Sequence, residues 1–141
     1  MTQNEKEMLL NDLSARLPYG VKISIPDLWT QKREIEVLDE IFKGDDGIYR
    51  VNSKGQCIEY IQPYLFPMSS MSDEQENEWD KLHLDPLGEI LEGKFNTKEE
   101  HMQLLSKSMT DPIQWCYKNH FDCNGLIPLG LAIDASNLNI Y

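Results

Sequence analysis

The sequence predicts an α+β fold: a small antiparallel sheet, an N-terminal helix and a C-terminal group of helices. Three observations predict it, namely a helical pattern of leucines at the start, short β-prone runs between glycine turns, and helix-capping signals in the second half. With 141 residues, the chain has the length of a single domain, 1–141, that can bury a core without disulfides.

The first predicted element is a helix over residues 4–17. Its leucines recur at helical spacing, at Leu10, Leu13 and Leu17. Pro18 ends the helix, because the residue before a proline avoids the α region. The stretch 21–25 then alternates apolar and polar side chains, which is typical of a half-buried strand.

The sheet is predicted to be a meander of four strands, at 20–25, 34–42, 47–51 and 57–61. The segment 34–42 fits two interpretations, because its apolar residues suit either strand alternation or helical spacing. Two glycine-containing turns follow it, at 43–47 and 52–56, and they favour the strand. The connection at 27–33 has no clear pattern.

The second half carries capping signals for several helices. Ser72 to Gln75 form an S-x-x-Q capping box, which predicts an acidic helix ending near Leu82, and 86–92 suits a short helical turn. A second box begins at Thr97 and predicts a helix with three inward side chains: Met102, Leu105 and Met109.

A third helix is predicted to begin at Thr110-Asp111-Pro112 and to run to about His120. Thr110 would cap this helix, and proline is favoured at the first helical position.

Charge and composition restrict the classes of function. The formal net charge is −11, so a phosphate backbone is repelled on average and non-specific nucleic-acid binding is not expected. No apolar run is long enough to span a membrane, and the polar N-terminus does not resemble a signal peptide. Three irregularly spaced cysteines favour a reducing cytoplasm over a disulfide framework.

The stretch from Trp115 to Ala135 concentrates chemically active side chains. Cys116, His120 and Cys123 could be metal ligands, and Cys116 with His120 could form a nucleophile and base. We favour a structural role, because a fourth ligand is missing and no oxyanion motif accompanies the pair. The favoured interpretation buries a helical stripe under an apolar lid. The stripe is Ile113, Cys116, Tyr117 and His120, and the lid is Leu126, Ile127, Leu129, Leu131 and Ile133.

No catalytic, cofactor or metal site is therefore predicted, but two surfaces are candidates for binding. One is a possible interaction surface made of Tyr64, Phe66, Met68, Met71 and Trp79; this segment could instead wrap the sheet onto the helices, which we favour. The other is an acidic run that could mimic DNA phosphates, although a solvated helix face explains it better: Asp73, Glu74, Glu76, Glu78 and Asp80.

Three stretches of the chain carry a family resemblance: ARLPYGVK at 15–22, PYLFPMSSMSDEQ at 63–75 and NHFDCNGLIPLGLAIDA at 119–135. Together they resemble a family of short uncharacterised proteins encoded in gut Bacteroidetes genomes, prophages and phages. The family pattern has Arg in place of Phe66 and commonly Tyr-Arg in place of Cys123-Asn124, which argues against a metal role for Cys123. The resemblance implies an accessory protein of a phage or mobile element in a bacterial cytoplasm.

The leading hypothesis is a non-enzymatic protein-interaction module whose partner is another protein. It depends on the acidity of the chain and on the lack of a catalytic constellation. Two alternatives stay open. One is a small enzyme, or an inhibitor of an enzyme, with a site near the C-terminal helix, and the other is an acidic DNA mimic.

Overall fold

Two small β-sheets and three helices make up the computed structural model, which describes residues 1–141. The helices are α1 (Gln3–Arg16), α2 (Asp73–Leu91) and α3 (Lys98–Lys118). The strands are β1 (Lys22–Pro26), β2 (Arg33–Val37), β3 (Ile41–Lys43), β4 (Tyr49–Val51), β5 (Gln56–Cys57), β6 (Gln62–Leu65) and β7 (Ile133–Asp134). The predicted α+β class, with one N-terminal helix and helices towards the C-terminus, is confirmed.

The strands form two sheets instead of the single predicted meander. One sheet has the order β2-β1-β6-β7 and the other the order β3-β4-β5. All pairs are antiparallel except β6 with β7. The predicted strand 57–61 is also wrong in its extent, because β5 ends at Cys57 and residues Ile58–Tyr60 form a 3-10 turn before β6.

The segment 34–42 is β structure, as favoured, but it supplies one strand to each sheet. The reason is Asn52, a buried residue whose backbone has a positive φ of 54°. Its Oδ1 accepts from the backbone of Asp39 at 3.0 Å, and its Nδ2 donates to the carbonyl of Val37 at 2.9 Å. One amide thus holds the bend between β2 and β3.

The hydrophobic core lies between α1, the two sheets and the C-terminal segment. Helix α1 begins at Thr2 with a reciprocal capping box and buries one stripe of leucines against β1. The lid predicted after His120 contributes Leu126 and Leu131 to the core, whereas Leu129 is half exposed. The core residues are Leu9, Leu13, Val21, Ile23, Ile25, Leu38, Val51, Ile58, Ile61, Leu65, Leu126, Leu131 and Ala132.

Helices α2 and α3 form an antiparallel hairpin and are longer than predicted. Helix α2 continues past Leu82 through Pro86, and α3 continues through Pro112, so the helix start predicted at Thr110 is wrong. Both prolines are buried in the hairpin, and their packing offsets the backbone hydrogen bond that each one removes. The hydroxyl of Thr110 donates to the carbonyl of Ser106 instead of capping a helix.

We call residues 73–118 the helical arm and the rest of the chain the body. None of the thirteen core residues given above belongs to the arm. Its buried residues lie where α2 meets α3 or where α3 meets the body: Pro86, Ser108, Pro112 and Cys116.

The packing of the arm reverses the predicted orientation of three side chains. Met102, Met109 and Ile113 are exposed instead of inward, because α3 turns the face of Ser108 and Pro112 towards α2. The indole of Trp79 on α2 donates to the carbonyl of Pro112 at 3.2 Å and fixes this rotation.

Candidate functional site

The cysteines and histidine of the C-terminal stretch do not form a common site. Helix α3 ends at Lys118, and His120 has a positive φ of 64°. The backbone N–H of His120 donates to the carbonyl of Tyr117, and that of Phe121 donates to the carbonyl of Cys116 at 2.8 Å. These bonds form a Schellman motif with histidine at the position that glycine usually occupies. His120 therefore terminates its helix, as predicted, but it lies beyond the last turn and does not share a helix face with Cys116.

The His120 ring packs against the C-terminal tyrosine. It stacks on Tyr141 with ring centroids 3.9 Å apart, and its Nδ1 is buried without a hydrogen-bond partner. Burial, followed by the positive charges of Arg16 and Lys22, lowers the pKa of His120 to about 4. A neutral imidazole that is stacked on a tyrosine ring is explained by a structural role.

Cys116 is buried, as predicted, and its thiol lies beside that of Cys123. The hydrogen bond with Cys123, together with burial, raises the pKa of Cys116, and the same bond lowers the pKa of Cys123. Met68 contacts the Cys116 sulfur at 3.9 Å. All three cysteines are free thiols, and no three His, Cys, Asp or Glu side chains converge in a way that could hold a metal ion.

A buried ion pair joins α1 to this stretch. Arg16 and Asp12 are fully buried side chains and contact each other at 2.7 Å. Arg16 also donates to the carbonyl of Phe121, and Asn124 donates to Asp12. The carboxylate of Asp122 accepts from the backbone N–H groups of residues 126 and 127. These polar groups attach the C-terminal segment to the body. A structural role therefore explains why so many polar and reactive side chains are concentrated in this stretch of the sequence.

The predicted interaction surface lies where the arm meets the body. Tyr64 is only 8% exposed, and the other four side chains are half-buried. Phe66 packs on the rings of Phe121 and Tyr141, and its backbone pairs with that of residues 120–122. This segment therefore wraps the sheet onto the helices, which is the alternative we favoured, and it leaves little area for a partner.

The largest of the main clefts has a volume of about 530 Å³ and lies between α1 and the β3–β4 hairpin. Lys6 and Glu59 pair at 3.0 Å on its wall, and Lys43 lies over the ring of Tyr49. Its lining contains no histidine, cysteine or serine. The cleft thus offers charged and apolar contacts.

A row of exposed apolar side chains runs along each helix of the arm. Leu84, Leu87 and Leu91 share one face of α2 at helical spacing, and Leu91 is 88% exposed. Met102, Met109 and Ile113 share one face of α3, and Met109 is 68% exposed. We call these six residues the apolar face of the arm.

Both rows lie on the same flank of the hairpin. The opposite flank is polar, since one shallow cleft there is lined by charged residues of both helices: Lys81, Asp85, Glu89, Lys107 and Asp111. The contact between the helices, with Pro86, Ser108 and Pro112, separates the two flanks. At 3.6 residues per turn, the apolar row of each helix lies on one side of the contact between the helices, and the charged residues of the same helix lie on the other side. The arm therefore has one polar flank and one apolar flank.

Sequence reasoning missed this face. The sequence interpretation placed Met102 and Met109 on the inward side of one helix and Ile113 in the buried stripe of another, because apolar stripes usually face a core. The unpredicted connection 27–33 holds a second exposed apolar site. Asp27 accepts from the backbone of Trp29 and Thr30 there, and this turn leaves the Trp29 side chain 94% exposed.

Comparison of the chain with models of protein families, with curated proteins and with solved structures finds no match. None of the helices combines the length and the hydropathy needed to cross a membrane.

Proposed function

We propose that the chain is a non-enzymatic protein-interaction module that binds another protein through the apolar face of the arm. The observation that carries this proposal is the exposure of six large apolar side chains on one flank of a hairpin that supplies none of the thirteen core residues. Contiguous exposed apolar surface is costly in water, and on soluble proteins it marks sites of interaction.

The setting we propose is the cytoplasm of a bacterium that carries a phage or mobile element. Support comes from the sequence stretches at 15–22, 63–75 and 119–135 that resemble phage-encoded proteins, and from the free thiols. Small accessory proteins in such a setting often bind host or phage proteins, which suits a chain with a surface of this kind.

The test is a pull-down from a lysate of the host bacterium that contains the phage proteins, with three forms of the chain as baits. The first is the unchanged chain, the second carries Met109→Glu and Ile113→Glu, and the third carries Gln103→Glu and Gln114→Glu. Gln103 and Gln114 are exposed residues of the same helix outside the apolar face, so the last two baits gain equal negative charge.

The proposal requires a protein that the first and third baits retain and the second loses. That protein is identified by mass spectrometry, purified, and tested for direct binding to the same three chains. Identical sets of captured proteins from all three baits would contradict an interaction through this face.

A further inference from the structure

Acidic side chains border the apolar face of the arm. Asp80 and Asp73 precede Leu87 by one and two heptads and so continue its row towards the start of α2, and Glu76 lies one turn before Asp80. On α3, Glu99 lies one turn before Met102. Lys98 is the basic residue beside this border. The face is therefore apolar at its centre and predominantly negative at its margin.

The shape of the face determines which backbone it can accept. It consists of side chains from two antiparallel helices, whose backbone N–H and C=O groups bond within each helix. A strand laid on it would find no backbone partners for its own polar groups, whereas a helix satisfies them internally. From Met102 to Ile113 the face is about 17 Å long at 1.5 Å per residue, which is roughly three helical turns.

We infer that the arm binds a basic amphipathic helix of the partner protein, laid along the apolar face of α2 and α3. This inference rests on the proposed function and adds the chemistry of the partner. The apolar side of the incoming helix covers the leucine and methionine rows, and its Lys and Arg side chains meet Asp73, Glu76, Asp80 and Glu99. Unbranched methionine side chains adapt to different apolar partners, which suits a face that receives a helix.

A second copy of the chain fits the face less well. Each copy carries a formal net charge of −11, and face-to-face pairing would bring two acidic borders together. Lys98 alone cannot neutralise four carboxylates of the other copy. A basic helix removes this repulsion, so complementarity of charge selects it over self-association.

The experiment is a fluorescence-anisotropy titration of labelled peptides with the full chain. Three peptides of about 14 residues are compared, long enough for the three-turn face. The first is a Lys/Leu peptide with the leucines on one helical face, the second replaces each Lys by Glu, and the third is a scramble of the first that keeps its charge but loses its apolar face. The Lys/Leu peptide is expected to bind at least about tenfold more tightly than either control, a difference of about 1.4 kcal/mol. Its affinity is expected to fall as salt rises.

Protein variants separate this recognition from general attraction to an acidic chain. The variant with Met109→Glu and Ile113→Glu and the variant with Gln103→Glu and Gln114→Glu carry the same added charge. Attraction by net charge alone would strengthen peptide binding to both equally. The inference requires about a tenfold loss in the first and no loss in the second, with circular dichroism showing that both are folded.

Several results would overturn the inference. They are equal binding of the ordered and scrambled basic peptides, preference for the Glu/Leu peptide, unchanged binding to the chain with Met109→Glu and Ile113→Glu, or a dimer by light scattering that this variant dissociates. If the peptides fail while the captured partner still depends on the apolar face, the basic helix is wrong and the proposed function stands. If the captured partner does not depend on the face, the proposed function itself fails.

Discussion

The body and the helical arm arrange their apolar residues differently. In the body, leucine, isoleucine and valine side chains from α1, both sheets and the C-terminal segment meet in one buried core. In the arm, α2 and α3 are each longer than α1, yet together they bury four residues and expose six large apolar ones. The body therefore has a buried core and exposes apolar side chains such as Trp29 outside it, whereas the large exposed side chains of the arm are aligned along one flank.

Polar groups show the same contrast. The ion pair of Arg16 and Asp12 is excluded from solvent and has further hydrogen bonds to Phe121 and Asn124. In the arm, the ion pair of Lys94 and Glu92 lies at the surface, where solvent screens it. Breaking the buried pair would leave an unpaired charge inside the body, whereas breaking the exposed pair would leave both of its charges in solvent.

The largest effect is expected when the buried ion pair is broken. Replacing Arg16 by Met leaves the carboxylate of Asp12 buried without its partner, which should cost about 3–5 kcal/mol in the free energy of unfolding. Urea unfolding followed by circular dichroism measures it. The control is Arg50→Met, since Arg50 pairs with Asp46 at the surface and should lose far less. Equal losses in the two variants would contradict the contrast in polar groups.

The sequence predicts the body better than the arm, for a physical reason. Helix α1 and strand β1 follow from local leucine spacing and from apolar alternation, and both lie within a residue or two of their predicted bounds. The split of 34–42 does not follow from local pattern, because it depends on the side chain of Asn52 many residues away. Long-range side-chain to backbone bonds of this kind leave no periodic signal.

The arm and its candidate site could not be predicted for a different reason, which is that local signals were present but pointed to the wrong structure. Pro86 and Pro112 are strong local signals for a helix boundary, yet packing between α2 and α3 outweighs them. The apolar stripe of α3 was visible in the sequence, but nothing local distinguishes a stripe that faces a core from one that faces a partner. The burial of Cys116 was predicted correctly, but the stripe that predicted it is not buried as a whole, since Ile113 is exposed and Cys116 is covered where α3 meets the body.

A leucine truncation in each region compares the two directly. Leu13→Ala should leave a cavity in the core and cost about 3 kcal/mol, whereas Leu91→Ala should change the free energy of unfolding by less than about 0.5 kcal/mol. The same atoms are removed in both, and leucine and alanine have similar helix propensities. Chemical denaturation of the two variants gives the comparison, and a large loss for Leu91→Ala would mean that the apolar face is not free in solution.

The neutral histidine of the body makes stability depend on pH. The pKa of His120 is lowered to about 4, below its ordinary value of 6.5, so the unfolded chain binds a proton there before the folded chain does. This contribution is fully present above pH 6.5 and is lost as the pH falls towards 4. Because the ring is partly solvated, the loss should be on the order of 1–2 kcal/mol.

The measurement is the free energy of unfolding between pH 7 and pH 4 for the unchanged chain and for His120→Gln. Carboxylates titrate in both, so their difference isolates the histidine. The unchanged chain should decline more steeply, and parallel curves would show that His120 is already protonated or solvated in the fold.

A smaller effect is expected where the arm joins the body. Cys116→Ala removes a buried thiol that contacts Met68 and hydrogen-bonds with Cys123, and it should cost about 1 kcal/mol. Metal analysis of the purified protein accompanies the unfolding measurement. If the unchanged chain holds one equivalent of zinc, and if Cys116→Ala loses both the zinc and the fold, Cys116 is a metal ligand and the structural interpretation is wrong.

The smallest effect is expected on the apolar face itself. Met109→Glu and Ile113→Glu place charges where the side chains are already exposed, so each should change the free energy of unfolding by less than about 0.5 kcal/mol. Both substitutions lie on the flank of α3 that α2 does not cover, and glutamate is a good helix former, so neither packing nor helix propensity opposes them. Thermal unfolding at several protein concentrations is the measurement, with Gln103→Glu and Gln114→Glu as the control. A loss of more than 1 kcal/mol that is confined to the first pair would show that this face is covered in the isolated protein. A loss that also grows with protein concentration would identify the cover as a second copy.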